Sequence, residues 1–381
     1  MLLFLGIRGC LGGYGGGGFL CLPYILVYFA PATETNPVIP DFFEHINQYG
    51  SLSVVGMAKN VGKTVCLRAL LEYSFRKGQS QSLAVTSVGT DGEAIDQVYQ
   101  TEKPELTFYP GMLVQTAEQY YHRRRLSAEI LDISRESTAC GRLITARVKT
   151  PGKMIISGSA HTQGLQEYIR QAHRLGAATA IIDGALSRLS LASPFVSEAM
   201  VLCTGAAVSK NADELVRKTA FQYRLLNLPL FGQTEAGREM ALMLQSVVLG
   251  VYGIDAEGNM QDLKIPSLLQ IDKHMEQIEP YCRSGAFLYV AGLLNDAILN
   301  RFSARKTPPH LVVSDFTKLF FSESAYRNFM RSGAQIMVLR QPKVVGLCVN
   351  PLSLDGYRLD SALLRQKIQE SVGIPVYDIL W

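Results

Sequence analysis

From Pro40 onward, short apolar runs alternate with longer stretches whose apolar residues recur at helical spacing. The runs contain many β-branched residues and end in glycine or polar loops, which is typical of strands. The intervening stretches place leucine, isoleucine and alanine on one face, which predicts amphipathic helices. Because parallel strands need helical crossovers, the alternation predicts an α/β fold with a mostly parallel sheet and helices on both faces. The predicted strands of this first region are SLSVVG, QSLAVTSVG, KMIISGSA, ATAIIDG and EAMVLCTGA.

A change of pattern near Leu228-Pro229 divides the chain. Scattered glycines and shorter apolar runs follow, and a second alternation of strands and helices then begins. It predicts a second, smaller α/β domain with strands in GAFLYVAG, HLVVSD, AQIMVLR, VVGLCVNP and IPVYDIL. The expected parts are an N-terminal extension over residues 1–40, a first domain over 41–225, a connecting region over 226–283 and a C-terminal α/β domain over 284–381.

The N-terminal stretch follows neither pattern. Glycines and Arg8 interrupt its first apolar patch, and the second patch, Phe19 to Ala30, is too short to cross about 30 Å of hydrocarbon as a helix. It also lacks the clean order of basic, apolar and cleavage segments that a signal peptide has. We expect an extension that does not belong to the fold, and no membrane partner.

Composition narrows the class of protein. With 381 residues, 48% hydrophobic and 18% charged, the chain is expected to be a globular protein with more than one core. The net charge of +4 is small and dispersed, which argues against nucleic acid as a partner. The seven cysteines show no C-x-x-C pair, which argues against disulfides and a transition metal and predicts a cytoplasmic location. Cys66 and Cys203 lie in apolar runs and are expected to be small core residues.

The turn after the first predicted strand has the sequence GMAKNVGKT. A strand, a glycine loop, Lys-Thr and a helix form the context of a phosphate-binding loop, because the amides and dipole of the helix start attract an anion. Lys63 is expected to reach the β- and γ-phosphates of ATP and the Thr64 hydroxyl to ligate Mg²⁺. Met57 stands where the strict motif has its first glycine, so a simple glycine turn is the alternative. The expected nucleotide-binding residues are Gly56, Lys59, Asn60, Val61, Gly62, Lys63, Thr64 and Val65.

The longer spacing, Gly56, five residues and then Gly62-Lys63-Thr64, resembles the loop of the dethiobiotin synthetase and cobyrinate amidase group of P-loop proteins. The resemblance covers the first domain and implies acidic residues at the ends of neighbouring strands that hold Mg²⁺ and substrate. Asp91 and Asp183 are the expected metal ligands, and Glu93 lies beside the first of them. Each aspartate precedes a glycine, so an Asp-Gly turn is the alternative for both.

Several motifs in order extend the resemblance to the whole chain from Leu52 to Leu380. GMAKNVGKT, TSVGTDGEAID, TEKP, IIDGALSR, VLCTGAAVSKN and VNPLSLDGYRLD together resemble the P-loop subunit of the lysine 5,6-aminomutase reactivase. This resemblance implies an ATPase that helps an adenosylcobalamin-dependent aminomutase of lysine fermentation to release damaged cobalamin. It implies a second subunit similar to mismatch-repair ATPases as a partner. Lys63 and Asp183 are then the expected catalytic residues, with ATP and Mg²⁺ as cofactors.

Other functions stay open. The loop alone fits an ATP-dependent carboxylate ligase similar to dethiobiotin synthetase, and Met57 also fits a nucleotide sensor that has lost hydrolysis. A glutamine amidase would need a nucleophilic cysteine beside a histidine. The C-terminal half offers Cys282 and Cys348 as such cysteines and His274 and His310 as such histidines. Thr204 and Gly205, which follow the run MVLC, and Asn211 shortly beyond are candidates to face the nucleotide base; an ordinary strand end with small residues is the alternative.

Overall fold

The structure is a computed structural model that describes residues 40–89, 95–96, 101–102, 105–185, 194, 196–353 and 355–378. The expected extension over residues 1–40, apart from Pro40, lies outside this part of the chain, as do Asp91 and Glu93.

Helices occur throughout the described residues, and none of them has the length and apolar character needed to cross a membrane. The α-helices are α1 (Asp41–Glu44), α2 (Lys63–Arg76), α3 (Glu118–His122), α4 (Thr162–Arg174), α5 (Ala212–Leu226), α6 (Glu235–Gln245), α7 (Met275–Ile278), α8 (Asp296–Ser303), α9 (Glu323–Arg331) and α10 (Ser361–Val372).

The strands alternate with these helices over most of the described chain. They are β1 (Ser51–Gly56), β2 (Leu83–Ser87), β3 (Ile95–Asp96), β4 (Thr101–Glu102), β5 (Leu106–Phe108), β6 (Leu113–Ala117), β7 (Ala128–Thr138), β8 (Gly141–Val148), β9 (Gly152–Met154), β10 (Thr179–Ala185), β11 (Ala199–Gly205), β12 (Val251–Ile254), β13 (Met260–Ile265), β14 (Phe287–Val290), β15 (Leu294–Asn295), β16 (His310–Val313), β17 (Leu319–Phe320), β18 (Ile336–Val338), β19 (Lys343–Asn350) and β20 (Val376–Asp378).

The larger sheet has nine strands in the order β20-β19-β11-β1-β10-β2-β6-β8-β7. The strands from β20 to β6 are parallel, whereas β8 and β7 are antiparallel additions at one edge. The α/β class predicted from the sequence is confirmed, and this sheet is mixed. The antiparallel pair comes from the region between TEKP and KMIISGSA, where the sequence shows no regular alternation.

The smaller sheet has five strands in the order β13-β12-β14-β16-β18. Strands β14, β16 and β18 are parallel, and β12 is antiparallel to both of its neighbours. The described residues also form three two-stranded sheets, which pair β3 with β4, β5 with β9, and β15 with β17.

The sheets divide the chain differently from the predicted parts. The expected connecting region 226–283 supplies β12 and β13 of the smaller sheet. The expected C-terminal domain 284–381 is shared, because β19 and β20 return to the larger sheet and β19 pairs with β11. Buried residues of β19 contribute to both large core clusters, because Leu347 and Val349 belong to the cluster of Val55 and Leu288 and Cys348 to the cluster of Val54 and Leu67.

Strand β1 lies at the centre of the larger sheet, between β10 and β11, and all of its residues are buried. Val54 and Val55 point to opposite faces, as consecutive strand residues do. Val54 belongs to a core cluster that includes Leu67 and Leu70 of α2. Val55 belongs to a second cluster that includes Leu288 of the smaller sheet. The loop after β1 therefore emerges from a strand that is packed on both faces.

Candidate functional site

The loop that joins β1 to α2 reverses the chain through two residues in the left-handed region. Asn60 has φ 62° and Gly62 has φ 87°. Asparagine tolerates this conformation better than most side chains, and glycine adopts it freely. The loop sequence therefore has the residue types that its backbone requires.

Gly56 ends β1 at a position with no room for a side chain. A Cβ atom there would lie 2.7 Å from Cγ2 of Val61 and 2.8 Å from Cδ of Lys63. The next amide, that of Met57, donates to the carbonyl oxygen of Cys203 at 2.9 Å. Gly56 thus lets the loop fold back over the strand end, and Met57 anchors the loop to β11. Because Gly56, one residue earlier, provides the space that this close packing needs, position 57 can carry a methionine.

The first turn of α2 exposes its amide groups without a competing cap. Gly62 is the N-cap residue and contributes no side-chain hydrogen bond, and the turn contains no acidic side chain. The N–H groups at the start of a helix have no partner within the helix, and the helix dipole favours an anion beside them. The turn that begins with Lys63, Thr64 and Val65 is therefore suited to a phosphate group.

Lys63 places its ammonium group between α2 and the end of β10. Its Nζ donates to the carbonyl oxygen of Gly184 at 2.7 Å and lies 3.8 Å from Oδ1 of Asp183. The second distance is too long for a hydrogen bond, so the contact with the carboxylate is electrostatic. The lysine is held by one carbonyl and one charge on the side of the loop where a phosphate would bind.

Asp183 has an unpaired oxygen in an enclosed position. It lies opposite Val54 of β1 and Ser87 of β2 in the sheet register. The Oδ1 atom is buried without a hydrogen-bond donor, although a quarter of the side chain is exposed. Burial raises the pKa of this carboxyl group, and the charge of Lys63 opposes that rise. A carboxylate oxygen at the end of a parallel strand is a suitable ligand for a hard cation.

The residues expected to hold Mg²⁺ fit that ion in part. Asp183 offers the unpaired oxygen, and Thr64 is a partly buried hydroxyl residue in the first turn of α2. Both are oxygen ligands, as Mg²⁺ prefers. The third expected ligand, Asp91, lies outside the described residues.

The remaining expected loop residues differ in exposure. Val61 is fully buried and packs in the core beneath α2, so it supports the loop from below. Lys59 and Asn60 are exposed on the outer side of the loop.

Two residues expected to face the base are engaged elsewhere. The Thr204 hydroxyl is buried and hydrogen-bonded to the Thr219 hydroxyl at 3.0 Å. The Asn211 side chain caps α5 by accepting from the amide of Glu214 at 2.9 Å. Gly205 lies against β19, since a Cβ there would be 2.2 Å from the carbonyl oxygen of Asn350. The strand-end position alone could not reveal these partners.

Asn350, the last residue of β19, contacts the loop through its side chain. Its Nδ2 donates to the carbonyl oxygen of Asn60 at 3.1 Å, and its Oδ1 accepts from the amide of Leu352 at 3.0 Å. Nearby, Lys210 and Asp355 form an exposed ion pair at 2.6 Å. The segment VNPLSLDGYRLD therefore borders the candidate site. In the sequence, its Asn-Pro turn after a strand pointed to a ligand loop.

The cysteines and histidines considered for an amidase have other partners. Cys282 is buried, its thiol donates to the carbonyl oxygen of Ile278, and burial raises its pKa. His310 accepts from the amide of Gln335 at 3.1 Å, and His274 contacts Gln277. These contacts give no support to a Cys-His pair.

Three cysteines converge directly beneath the loop. Cys66 of α2, Cys203 of β11 and Cys348 of β19 are fully buried, and their Sγ atoms all lie within 4.8 Å of one another. Hydrogen bonds from Cys203 and then Cys348 lower the pKa of Cys66, whereas the pKa of Cys348 is raised. The expectation that Cys66 and Cys203 are buried is confirmed, but their convergence with Cys348 was not foreseen.

The chain matches no family model, no curated protein and no solved structure.

Proposed function

We propose that this protein binds ATP with Mg²⁺ at the loop between β1 and α2 and hydrolyses it. The observation that supports this proposal most strongly is the uncapped first turn of α2 with Lys63 beside the unpaired carboxylate oxygen of Asp183. The chemistry of nucleoside triphosphates needs a site for the phosphate anion, a positively charged side chain such as Lys63, and an oxygen ligand for a hard cation.

Each residue has a distinct role in this proposal. The amides of the first turn of α2 bind the phosphate oxygens, and the Lys63 ammonium exchanges the Gly184 carbonyl for the β- and γ-phosphates. Lys63 thereby neutralises charge that develops during phosphoryl transfer. Gly56 and Val61 keep the loop closely packed against β1, so that these donors are already oriented when the phosphate arrives.

Asp183 and Thr64 are the proposed ligands of the metal ion. They would hold Mg²⁺, which neutralises phosphate charge and orients the triphosphate when it is bound. The enclosed position of Asp183 strengthens its electrostatic interactions, because little water screens them. The same enclosure makes the negative charge costly unless a cation is close, which keeps Asp183 coupled to Lys63.

We further propose that ATP turnover serves the reactivation of an adenosylcobalamin-dependent aminomutase of the lysine 5,6-aminomutase type. The ordered motifs along the chain support this role. An enzyme that has lost the adenosyl group retains a tightly bound, inactive cobalamin, and its release requires a conformational change. Two nucleotide states with different affinities for the aminomutase can drive that change. A second subunit similar to mismatch-repair ATPases is the proposed partner.

The test compares the purified wild type with Lys63→Ala and with Lys77→Ala, a matched control at the opposite end of α2. Phosphate release is measured with Mg²⁺-ATP, first alone and then with cobalamin-inactivated lysine aminomutase and the second subunit. We expect the aminomutase to stimulate hydrolysis and to regain activity with the wild type and Lys77→Ala, but not with Lys63→Ala. Stimulation by a small carboxylate or amine instead of the aminomutase would assign the protein to the ligases.

A further inference from the structure

The three-cysteine cluster, consisting of Cys66, Cys203 and Cys348, is built from three separate elements. Cys203 lies opposite Gly56 of β1 in the sheet register and opposite Cys348 of β19. Cys66 comes down onto this pair from the first turn of α2, and its Sγ lies 3.6 Å from that of Cys348. The thiols therefore meet at one point beneath the phosphate-binding loop.

The other buried cysteines of the described chain behave differently. The thiol of Cys140 contacts the Tyr120 hydroxyl at 3.5 Å, and that of Cys282 contacts the Ile278 carbonyl oxygen at 3.7 Å. A buried cysteine ordinarily acts as a small apolar residue with one weak hydrogen bond. Three sulfurs directed at one another form instead a set of soft donors.

The spacing of the sulfurs is compatible with direct coordination. A metal–thiolate bond of about 2.3 Å places three sulfurs ~4.0 Å apart around a trigonal ion. The observed separations, 3.6 Å for one pair and within 4.8 Å for all, require only small side-chain adjustments. No histidine or carboxylate of the described chain joins the sulfurs within this range.

We propose that the three-cysteine cluster binds one monovalent copper ion in three-coordinate geometry. Soft thiolate donors favour Cu(I), and three donors without a fourth suit it better than Zn²⁺, which prefers four ligands. Each copper–sulfur bond replaces an S–H bond, and the released proton goes to the solvent. The ion ties α2 to β11 and β19, and it is distinct from the hard cation proposed beside Asp183. This site revises the expectation that no transition metal is bound.

The test uses the full chain with Cys10 and Cys21 replaced by serine, because these two cysteines could also bind copper. Reduced protein is incubated anaerobically with Cu(I) held by a chromophoric chelator until the absorbance is constant. We expect about one copper ion per chain, with only sulfur neighbours in the X-ray absorption spectrum. Copper should also raise the midpoint of thermal unfolding, and Zn²⁺ should not displace it.

Variants separate the cluster from other sites. Cys348→Ala and, independently, Cys203→Ala should lose copper binding and the thermal shift, whereas Cys282→Ala should keep both. Circular dichroism verifies that each variant is folded. If Cys348→Ala does not fold, Cys203→Ala alone tests the cluster. Lys63→Ala should bind copper normally, which makes this result independent of ATP binding. Failure of the wild type to take copper from the chelator, or retention of copper by both cluster variants, would overturn the proposal.

Discussion

The two sheets differ in how the helices after their strands satisfy the free N–H groups of the first helical turn. In the smaller sheet, the helices that follow β14 and β16 are capped by side chains: Asn295 accepts from the amide of Ile298 at the start of α8, and Ser322 caps α9. In the larger sheet, the helix that follows β1 begins at Lys63 without such a cap. The starts of α8 and α9 are satisfied by side chains, whereas the start of α2 is available for an anion.

The two aspartates at strand ends show the same contrast. Asp315 follows β16, is buried, and accepts from the amide of Thr317 at 2.8 Å. Asp183 lies near the end of β10, and its Oδ1 has no donor. Because buried polar atoms are nearly always hydrogen-bonded, an exception at a strand end indicates a ligand position. Of these two carboxylates, the hydrogen-bonded Asp315 holds its own loop together, whereas Asp183 keeps an oxygen that is available to a ligand.

The largest effect is expected from Lys63. Replacing it by alanine removes the ammonium group that lies 3.8 Å from Asp183, and we expect hydrolysis of ATP to fall about 10³-fold. Lys318→Ala, after β16 of the smaller sheet, should leave the rate unchanged. Initial rates of phosphate release measure both variants. An equal loss of hydrolysis in both variants would show that the loop after β1 is not the specific site of ATP hydrolysis.

Replacing the carboxylate at each of the two aspartates should affect a different property. Asp183→Asn should reduce hydrolysis about 100-fold, since several kcal/mol of cation binding depend on the charge. Its free energy of unfolding should change by less than about 1 kcal/mol, because Oδ1 makes no hydrogen bond.

Asp315→Ala is the counterpart in the smaller sheet. It should lower the free energy of unfolding by about 1–3 kcal/mol, because the Thr317 amide loses its acceptor, while hydrolysis remains normal. Urea denaturation and phosphate release distinguish the outcomes. A strongly destabilised Asp183→Asn would mean that Asp183 is a structural residue.

The strand-end glycines provide a smaller effect. Gly56→Ala should weaken ATP binding about tenfold and destabilise the fold by about 1–3 kcal/mol, because the Cβ would overlap Val61 and Lys63. Gly292→Ala, after β14, is the control, since its Cβ would meet Val290 only at 4.0 Å. Equilibrium binding of a fluorescent ATP analogue measures the affinity. A tolerated Gly56→Ala would show that close packing of the loop is not required.

The smallest effect is expected at Asn350. Removing its side chain deletes one hydrogen bond to the loop, so Asn350→Ala should weaken ATP binding only about three- to tenfold, equivalent to ~1 kcal/mol. Lys210→Ala breaks an exposed ion pair at the same edge and should be nearly silent. The same fluorescence titration checks both. An unchanged affinity for ATP in Asn350→Ala would show that the segment VNPLSLDGYRLD does not contribute to the binding site.

The sequence was sufficient for features that are encoded locally. The period of the apolar residues predicted the α/β class, and Gly62-Lys63-Thr64 lies where the loop after β1 enters α2, as its flanking patterns required. It could not show that β19 pairs with β11, because the choice of a strand partner depends on the whole core. For the same reason the run VVGLCVNP looked like part of the C-terminal domain.

Long-range convergence was also beyond the sequence. Cys66, Cys203 and Cys348 are far apart in the chain and form no metal-binding spacing. The sheet register brings Cys203 beside Cys348, and the packing of α2 brings Cys66 to both. Thr204 was misjudged because alternate strand residues point to opposite faces, and its hydroxyl faces Thr219 in the core.

The most direct test is a crystal structure with Mg²⁺ and a non-hydrolysable ATP analogue. We predict that the β- and γ-phosphates lie at the first turn of α2, that Lys63 Nζ contacts them, and that Asp183 faces the Mg²⁺ ion. Phosphates bound instead at the start of α4, which also lacks a capping side chain, or a nucleotide that leaves Lys63 on Gly184, would contradict it.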